Sequence, residues 1–468
     1  MSFASHAFLL LFLPLTILAY YALFKTPRRK MFFLLAVSYG FYAMAGWQFI
    51  PVLLGLSFVT FLDARRAWFL PGILLNLAAL ALFKYWNFGV ENFNALMGLL
   101  GFHLASLNLL SIGLPLGISF FVFKHIGYLL DVQAKRYPAS PDLLLFLTFS
   151  AYFPQISAGP ISSFKDTSPQ FLDLPGRLEN RQALNGLALF SIGLAKKVLV
   201  ADQIGTLITA SLKNPANFTG VFPAWYMVIA FAVQLYFDFS GYTDMARGIS
   251  LLFGVKLPPN FNNPYLAADS AEFWERWHMS LSNWFRVYLF SPLSRFFLRK
   301  WGSDRREWSQ YTANLITMSL VGFWHGASWA YLLWGVYHGL LLNLNAGWKR
   351  SGRKIPGLVG RPLFIISILF GWALFMSPNF GFLAHLFAGL FGLKGLGNPG
   401  LITKLLRDPA TLAMLVGIPL AFSGQSEPAA LFEEGTSISA WKFFSWGVLA
   451  ALCILLIGQV QNFIYVGF

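Results

Sequence analysis

Three observations predict an all-α polytopic membrane protein. Of the 468 residues, 57% are hydrophobic and only 11% charged, against roughly 25% charged in an ordinary soluble domain. Apolar runs recur at 7–24, 31–45, 143–152, 222–236, 363–376 and 446–457; several approach the roughly 20 residues that cross the hydrocarbon layer, and others are shorter. The basic residues sit in short clusters between these runs. The expectation is about ten or more membrane helices, with half-length re-entrant and interfacial helices among them.

The first run, in MSFASHAFLLLFLPLTILAYY, has no Lys or Arg before it and no small-residue cleavage signature after it, which argues against a removable signal peptide. Lys25, Arg28, Arg29 and Lys30 follow, so the first loop is expected in the cytoplasm and the N-terminus outside it. The Arg65-Arg66 pair and WKRSGRK at 348–354 are assigned the same way. A net charge of +15 is explained by these loops; no groove-shaped basic face for nucleic acid is formed, and the remaining partners of such charge are anionic lipid or a phosphate-bearing cosubstrate. With no repeat and no linker, residues 1–468 read as one membrane domain. Peripheral spans occupy 1–110, a polar-bearing core 111–350, and simpler spans 360–468 with a polar loop at 423–437. Between Phe285 and Tyr311, Ser291-Pro292 reads as a helix start, and Phe296, Phe297 and Trp301 interleave with Arg295, Arg299 and Lys300 as in a helix lying in the interface. The single cysteine, Cys453, excludes an intramolecular disulfide and reads as packing.

Ionisable groups in apolar context are costly, so each is a candidate for function. Taking 271–290 as one helix, His278, Ser282 and Arg286 fall at about −60°, −20° and +20° from Glu275, a polar stripe opposite Trp277, Leu281, Trp284 and Tyr288. The plainer alternative is an interfacial helix with a solvated face. In QLYFDFSGYTDMARG (234–248), Asp238 lies one turn from Gln234, Ser240-Gly241 is expected to break the helix, and Asp244 either lines a cavity or caps the next segment and pairs with Arg247. In GFWHGASWAYLLWGVYHG (322–339), His325 follows Trp324 and is expected to share a face with Asn314, Met318, Val321 and Trp329. Gly322 and Gly326 would leave room for a thin ligand beside its ring. His338, about 220° further round a continuous helix, would face elsewhere as a structural hydrogen bonder.

The seven histidines include no His-x-x-x-His pair, so no metal site is expected. No G-x-S-x-G elbow supports a serine nucleophile. His6, His103 and His385 read as interface or loop residues, and His125 as paired with a neighbour. His325 taken alone reads equally as a satisfied core histidine, and its pairing with the His278 stripe favours a general base: a buried, neutral imidazole able to accept a hydroxyl proton as that oxygen attacks an acyl thioester.

The stretches LPLGISFFVF (114–123), YFPQISAGPISSF (152–164), QLYFDFSGYTDMA (234–246), NFNNPYLAADSAEFWERWHMSLSNWFR (260–286) and 322–339, with the ending QNFIYVGF, resemble the membrane-bound O-acyltransferase (MBOAT) family. They look most like its bacterial branch of alginate O-acetylation and teichoic acid D-alanylation proteins. The resemblance implies a ring of helices around a thinned centre in a bacterial inner membrane. It places the family's presumed catalytic histidine on His325 and its second characteristic histidine on His278. It further implies a thioester cosubstrate such as acetyl-CoA or an acyl carrier, with no bound cofactor. The acceptor would be an extracytoplasmic polysaccharide or an acetyl-relay protein. Arg286-Val287-Tyr288 stands where close relatives read Arg-Asp-Tyr, and a basic segment at 295–306 replaces their Gly-Gly-Asn-Arg loop, which leaves the acceptor open.

The resulting expectation is an O-acyltransferase with His325 as general base, His278 orienting the donor or stabilising developing charge, and Asp238, Asp244, Glu275, Ser282, Arg286, Asn314 and Trp324 around the cavity. A polysaccharide or lipid transporter would use the same stripes as a path, and would call for paired broken helices. A scaffold for a catalytic partner would use the histidines only as hydrogen bonders.

Overall fold

The computed structural model describes residues 2–102, 107–214, 218–353, 355–424 and 439–457, and among these the regular structure is entirely helical. Five helical stretches are long and apolar enough to cross a bilayer: Pro27–Arg66, Phe69–Leu99, Asn180–Leu212, Val221–Leu252 and Gly357–Met376. Shorter apolar helices add to them at Ala7–Leu23, Phe380–Leu390, Pro409–Ala421 and Ala440–Leu456. Large apolar side chains such as Leu18, Leu70, Leu358, Leu412 and Leu455 stand on the outside, the surface expected where the solvent is lipid. This is a multi-pass membrane protein. Nearly all of the polar loop, from 425 on, and the motif QNFIYVGF lie outside the described residues, as does His103.

The centre is a helix pair. Val221–Leu252 runs unbroken for 32 residues and is buried along nearly its whole length. Ser240-Gly241 therefore does not break it, and the reason is packing rather than turn chemistry. A Cβ on Gly241 would stand 2.6 Å from the carbonyl oxygen of Gly193, and one on Gly193 2.5 Å from that of Gly241. Gly248 meets the carbonyl oxygen of Gly186 in the same way, at 2.6 Å. Two glycines seven residues apart on each helix let the backbones touch, as small residues do in membrane helix pairs.

A second close pair carries the C-terminal histidines. Arg306–His325 ends at His325, Gly326 is extended, and Ser328 caps the return helix Trp329–Arg350 through the Ala330 N–H at 3.2 Å. A Cβ on Gly322 would lie 2.2 Å from the Tyr331 carbonyl oxygen, and one on Gly326 2.3 Å from the Tyr331 ring. The space these glycines leave is thus filled by the return helix, not kept for a ligand. Trp329 does not share the His325 face; it is half exposed and donates to Asn92 Oδ1 at 2.8 Å.

The stretch 271–290 is not one helix. Asp269 caps Ser270–Arg276, Trp277 is extended, and His278 sits in the left-handed region at φ 42° before Met279–Phe285 begins. The preceding loop latches this break: Asn260 accepts from the Met279 N–H at 2.9 Å and the Ser280 N–H at 3.2 Å. Helical geometry then continues from Met279 through a π-turn, Arg286–Phe290, into Ser291–Trp301. Ser291-Pro292 therefore lies inside a helical run instead of starting one.

Candidate active site

The break at Trp277 sends both Trp277 and His278 inward. His278 is 1% exposed, with its ring 4.6 Å from that of Phe239 and 6.3 Å from that of Trp324. His325 is 2% exposed, between the rings of Trp324 at 4.9 Å, Trp334 at 5.2 Å and Phe375 at 5.3 Å. His338 comes back to the same cluster because the chain reverses at Gly326: its ring is 4.8 Å from Trp334 and 5.2 Å from Trp274. The expectation that His338 faces elsewhere assumed one continuous helix and fails for that reason. His278, His325 and His338 thus share one aromatic box.

The end of the His325 helix is held from outside by Phe69–Leu99. That helix passes through a π-turn at Ala81–Tyr85. The π-turn turns two neighbouring side chains toward the last carbonyls before Gly326. Tyr85 donates to the Phe323 carbonyl at 3.1 Å, while Lys84 Nζ donates to the Trp324 carbonyl at 2.5 Å and reaches that of His325 at 3.5 Å.

Two cavities flank this helix end. One, of about 460 Å³, is lined by Glu275, Ser282, Asn283, Arg286, Asn314, Thr317, Met318 and Val321 among others. Four expected residues, Glu275, Ser282, Arg286 and Asn314, therefore share a wall, although no single helical stripe joins them. Val321, one turn before His325, is on this cavity's wall. The other, of about 590 Å³, is lined by Lys84, Gln234, Gly326, Ser328, Tyr331 and Phe375, among others. His325 belongs to neither wall; Phe375, which packs on its ring, belongs to the second. Trp274 Nε1 and Thr317 Oγ1, both on the wall of the first cavity, are buried without a hydrogen-bond partner among the described residues.

Asp269 ties this region together. Its carboxylate accepts from the N–H groups of Ala271 at 2.9 Å and Glu272 at 3.1 Å and from Asn345 at 3.0 Å, and pairs with Lys349 at 2.8 Å. Burial pushes its carboxyl up, but Lys349 and the two N–H donors together hold it below the ordinary value.

Residues 128–386, more than half the chain, match the membrane-bound O-acyltransferase family. The chain belongs to that family. It is 36% identical over 408 residues to the "Probable alginate O-acetylase AlgI" of Pseudomonas putida, covering 84% of this chain and 80% of that one. It is 32% identical over 441 residues to the "Peptidoglycan O-acetyltransferase" of Helicobacter pylori, again covering 84% and 80%. The "Teichoic acid D-alanyltransferase" of Bacillus subtilis is 31% identical over 273 residues, 56% of this chain and 67% of that one.

In this MBOAT chain, Asp238 and Asp244 stand apart from both cavity walls, in a buried ion-pair network of the central helix pair. Asp244 is mid-helix instead of capping, pairing with Lys196 at 2.6 Å and Arg247 at 3.8 Å. Asp238 pairs with Lys197 at 2.7 Å, which also holds Asp202 at 2.7 Å. A π-turn at Lys196–Ala201 delivers both lysines. Lys84, Lys124, Lys196 and Lys197 are the residues sequence reasoning passed over, although each is an ionisable group in an apolar run, the same signal that picked out the aspartates. His125 has a structural explanation: it bonds Asn76 at 2.9 Å and Ser150 at 2.7 Å. His6 meets the Ile454 carbonyl at 3.0 Å and His385 meets Thr219 at 3.0 Å.

Proposed function

We propose that this chain moves an acetyl group from a cytoplasmic thioester, acetyl-CoA or an acyl carrier, to a hydroxyl of an extracytoplasmic polysaccharide or of a relay protein, with His325 as general base. The observation that carries this reading is the position of His325 at the end of its helix, with Val321, one turn before it, on the wall of one cavity and Gly326, just after it, on the wall of the other. Family membership supplies the reaction class, and the relatives named for alginate and peptidoglycan O-acetylation favour a glycan acceptor and an acetyl group.

In the proposed reaction, a ring nitrogen of His325 takes the acceptor's hydroxyl proton as that oxygen attacks the thioester carbonyl carbon. The C–O bond forms, the C–S bond breaks, and the imidazolium returns its proton to the departing thiolate. The donor enters the cavity lined by Arg286 and Glu275 from the basic side of the chain, with Asn314 and Ser282 as polar contacts along it. The acceptor occupies the Ser328 side. His278 and Trp324 close the box around the reacting atoms. Asp238 and Asp244 act at a distance, by fixing the helix pair against which the box is packed.

The test is mass analysis of surface glycans from cells with and without the gene, joined to an assay of the purified chain with labelled acetyl-CoA. Loss of O-acetyl groups from one glycan, and transfer of label to that glycan, is expected. Glycans of unchanged mass, with substrate movement in vesicles lacking any thioester, would instead favour a transporter.

A further inference from the structure

We propose that Lys84 is a positioning residue for the acyl-transfer base, a proposal that rests on the reading of His325 as that base. The last carbonyls of a helix have no partner within it. Here they carry the residue whose ring must be placed, and beyond them the chain turns extended at Gly326, so the helix itself cannot fix the final turn.

The peripheral helix supplies the missing partners. Lys84 Nζ lies 2.5 Å from the Trp324 carbonyl oxygen, 3.5 Å from that of His325 and 3.4 Å from Ser119 Oγ, and 5.5 Å from the centre of the Trp324 ring. Its hydrogen bonds among the described residues run to the helix end and to Ser119, while the side chain also lines the adjoining cavity. A cation at a helix C-terminus also offsets the partial negative charge gathered there, an effect that grows when the site is partly buried. Tyr85 completes the clamp: its hydroxyl bonds the Phe323 carbonyl at 3.1 Å, and its ring stacks on Phe323 at 4.5 Å. Ala81–Tyr85 is a π-turn, an insertion that recurs at functional sites and that costs a regular helix its hydrogen-bond register. Lys84 lies outside the span that matches the family, 128–386, so this contact joins the N-terminal helices to the catalytic segment.

The experiment uses the full chain in lipid nanodiscs, with labelled acetyl-CoA as donor and total surface glycan from the same cells as acceptor. Lys84→Met is expected to lower kcat about 10²-fold, the loss that a misplacement of about 1 Å produces, with the donor KM unchanged. Lys84→Arg is expected to recover most of that rate, and Tyr85→Phe to lose less than Lys84→Met. Amide hydrogen exchange of the 321–327 peptide is expected to rise in Lys84→Met at an unchanged Tm. If Lys84→Met fails to accumulate, Lys84→Leu, which likewise removes both the donors and the charge, is read in the same way. Wild-type kcat and exchange in Lys84→Met overturn the proposal, as does a loss that Lys84→Arg shares in full. Full activity of His325→Ala in the same assay removes the base instead, and the exchange measurement then still reports whether Lys84 holds the helix end.

Discussion

Lys197 meets Asp202 and Asp238 inside the central helix pair, with all three side chains no more than 4% exposed. Lys196, Lys197 and Arg247 face Asp202, Asp238 and Asp244, so the network is neutral as a whole. Removing one member of such a group leaves the opposite charge buried, which costs about 3–5 kcal/mol. Lys197→Met is accordingly expected to lower the unfolding temperature in detergent sharply, and Lys197→Met combined with Asp238→Asn to recover part of the loss. Equal unfolding temperatures for wild type and Lys197→Met would contradict this. Asp238 was visible in the sequence because a carboxylate inside Tyr-Phe-Asp-Phe has no ready explanation, and Asp244 because it follows in the same stretch; Asp202 was not. Their partners were not, because Lys196-Lys197 reads locally as the basic end of a span, and only the Gly193–Gly241 approach shows that it faces the aspartates.

At the scale of elements, helix breaks decided where the sequence reading succeeded. Periodicity placed Asn314, Met318 and Val321 on one face, and that holds because Arg306–His325 is regular throughout. It failed beyond His325 and at Trp277–His278, where the chain leaves helical geometry for reasons that lie in other segments: the Asn260 latch in one case, the Tyr331 ring in the other. Asp269 holds the broken segment to the return helix through Asn345 and Lys349. Asp269→Ala is expected to cost about 1 kcal/mol as a lost N-cap, and more once Lys349 is left without its carboxylate. Because the folded carboxyl lies below its unfolded value, its contribution is complete above the unfolded value of about 3.9 and is lost as pH falls through the folded value. The gap in unfolding temperature between wild type and Asp269→Ala is therefore expected at neutral pH and should narrow below about pH 4. A gap independent of pH would count against the pairing.

For the whole molecule, composition was a sufficient guide to class, since a chain with 57% hydrophobic residues can be covered only by lipid. The motifs were a sufficient guide to family, which the match over 128–386 bears out. What local patterns could not supply is the meeting of distant segments: the peripheral helix bonding the end of the His325 helix, and the reversal at Gly326 that returns His338 to the same box. The reversal depends on backbone approaches at Gly322 and Gly335, and the central helix pair on those at Gly186, Gly193, Gly241 and Gly248, where absent side chains matter and the sequence shows only a small residue. The central claim is that the imidazole at 325 takes the acceptor proton during acetyl transfer. Its most direct test is the rate of labelled acetyl transfer to glycan by nanodisc-embedded His325→Ala at saturating acetyl-CoA. A fall of about 10²- to 10⁴-fold at an unchanged unfolding temperature is predicted; transfer at the wild-type rate would contradict it.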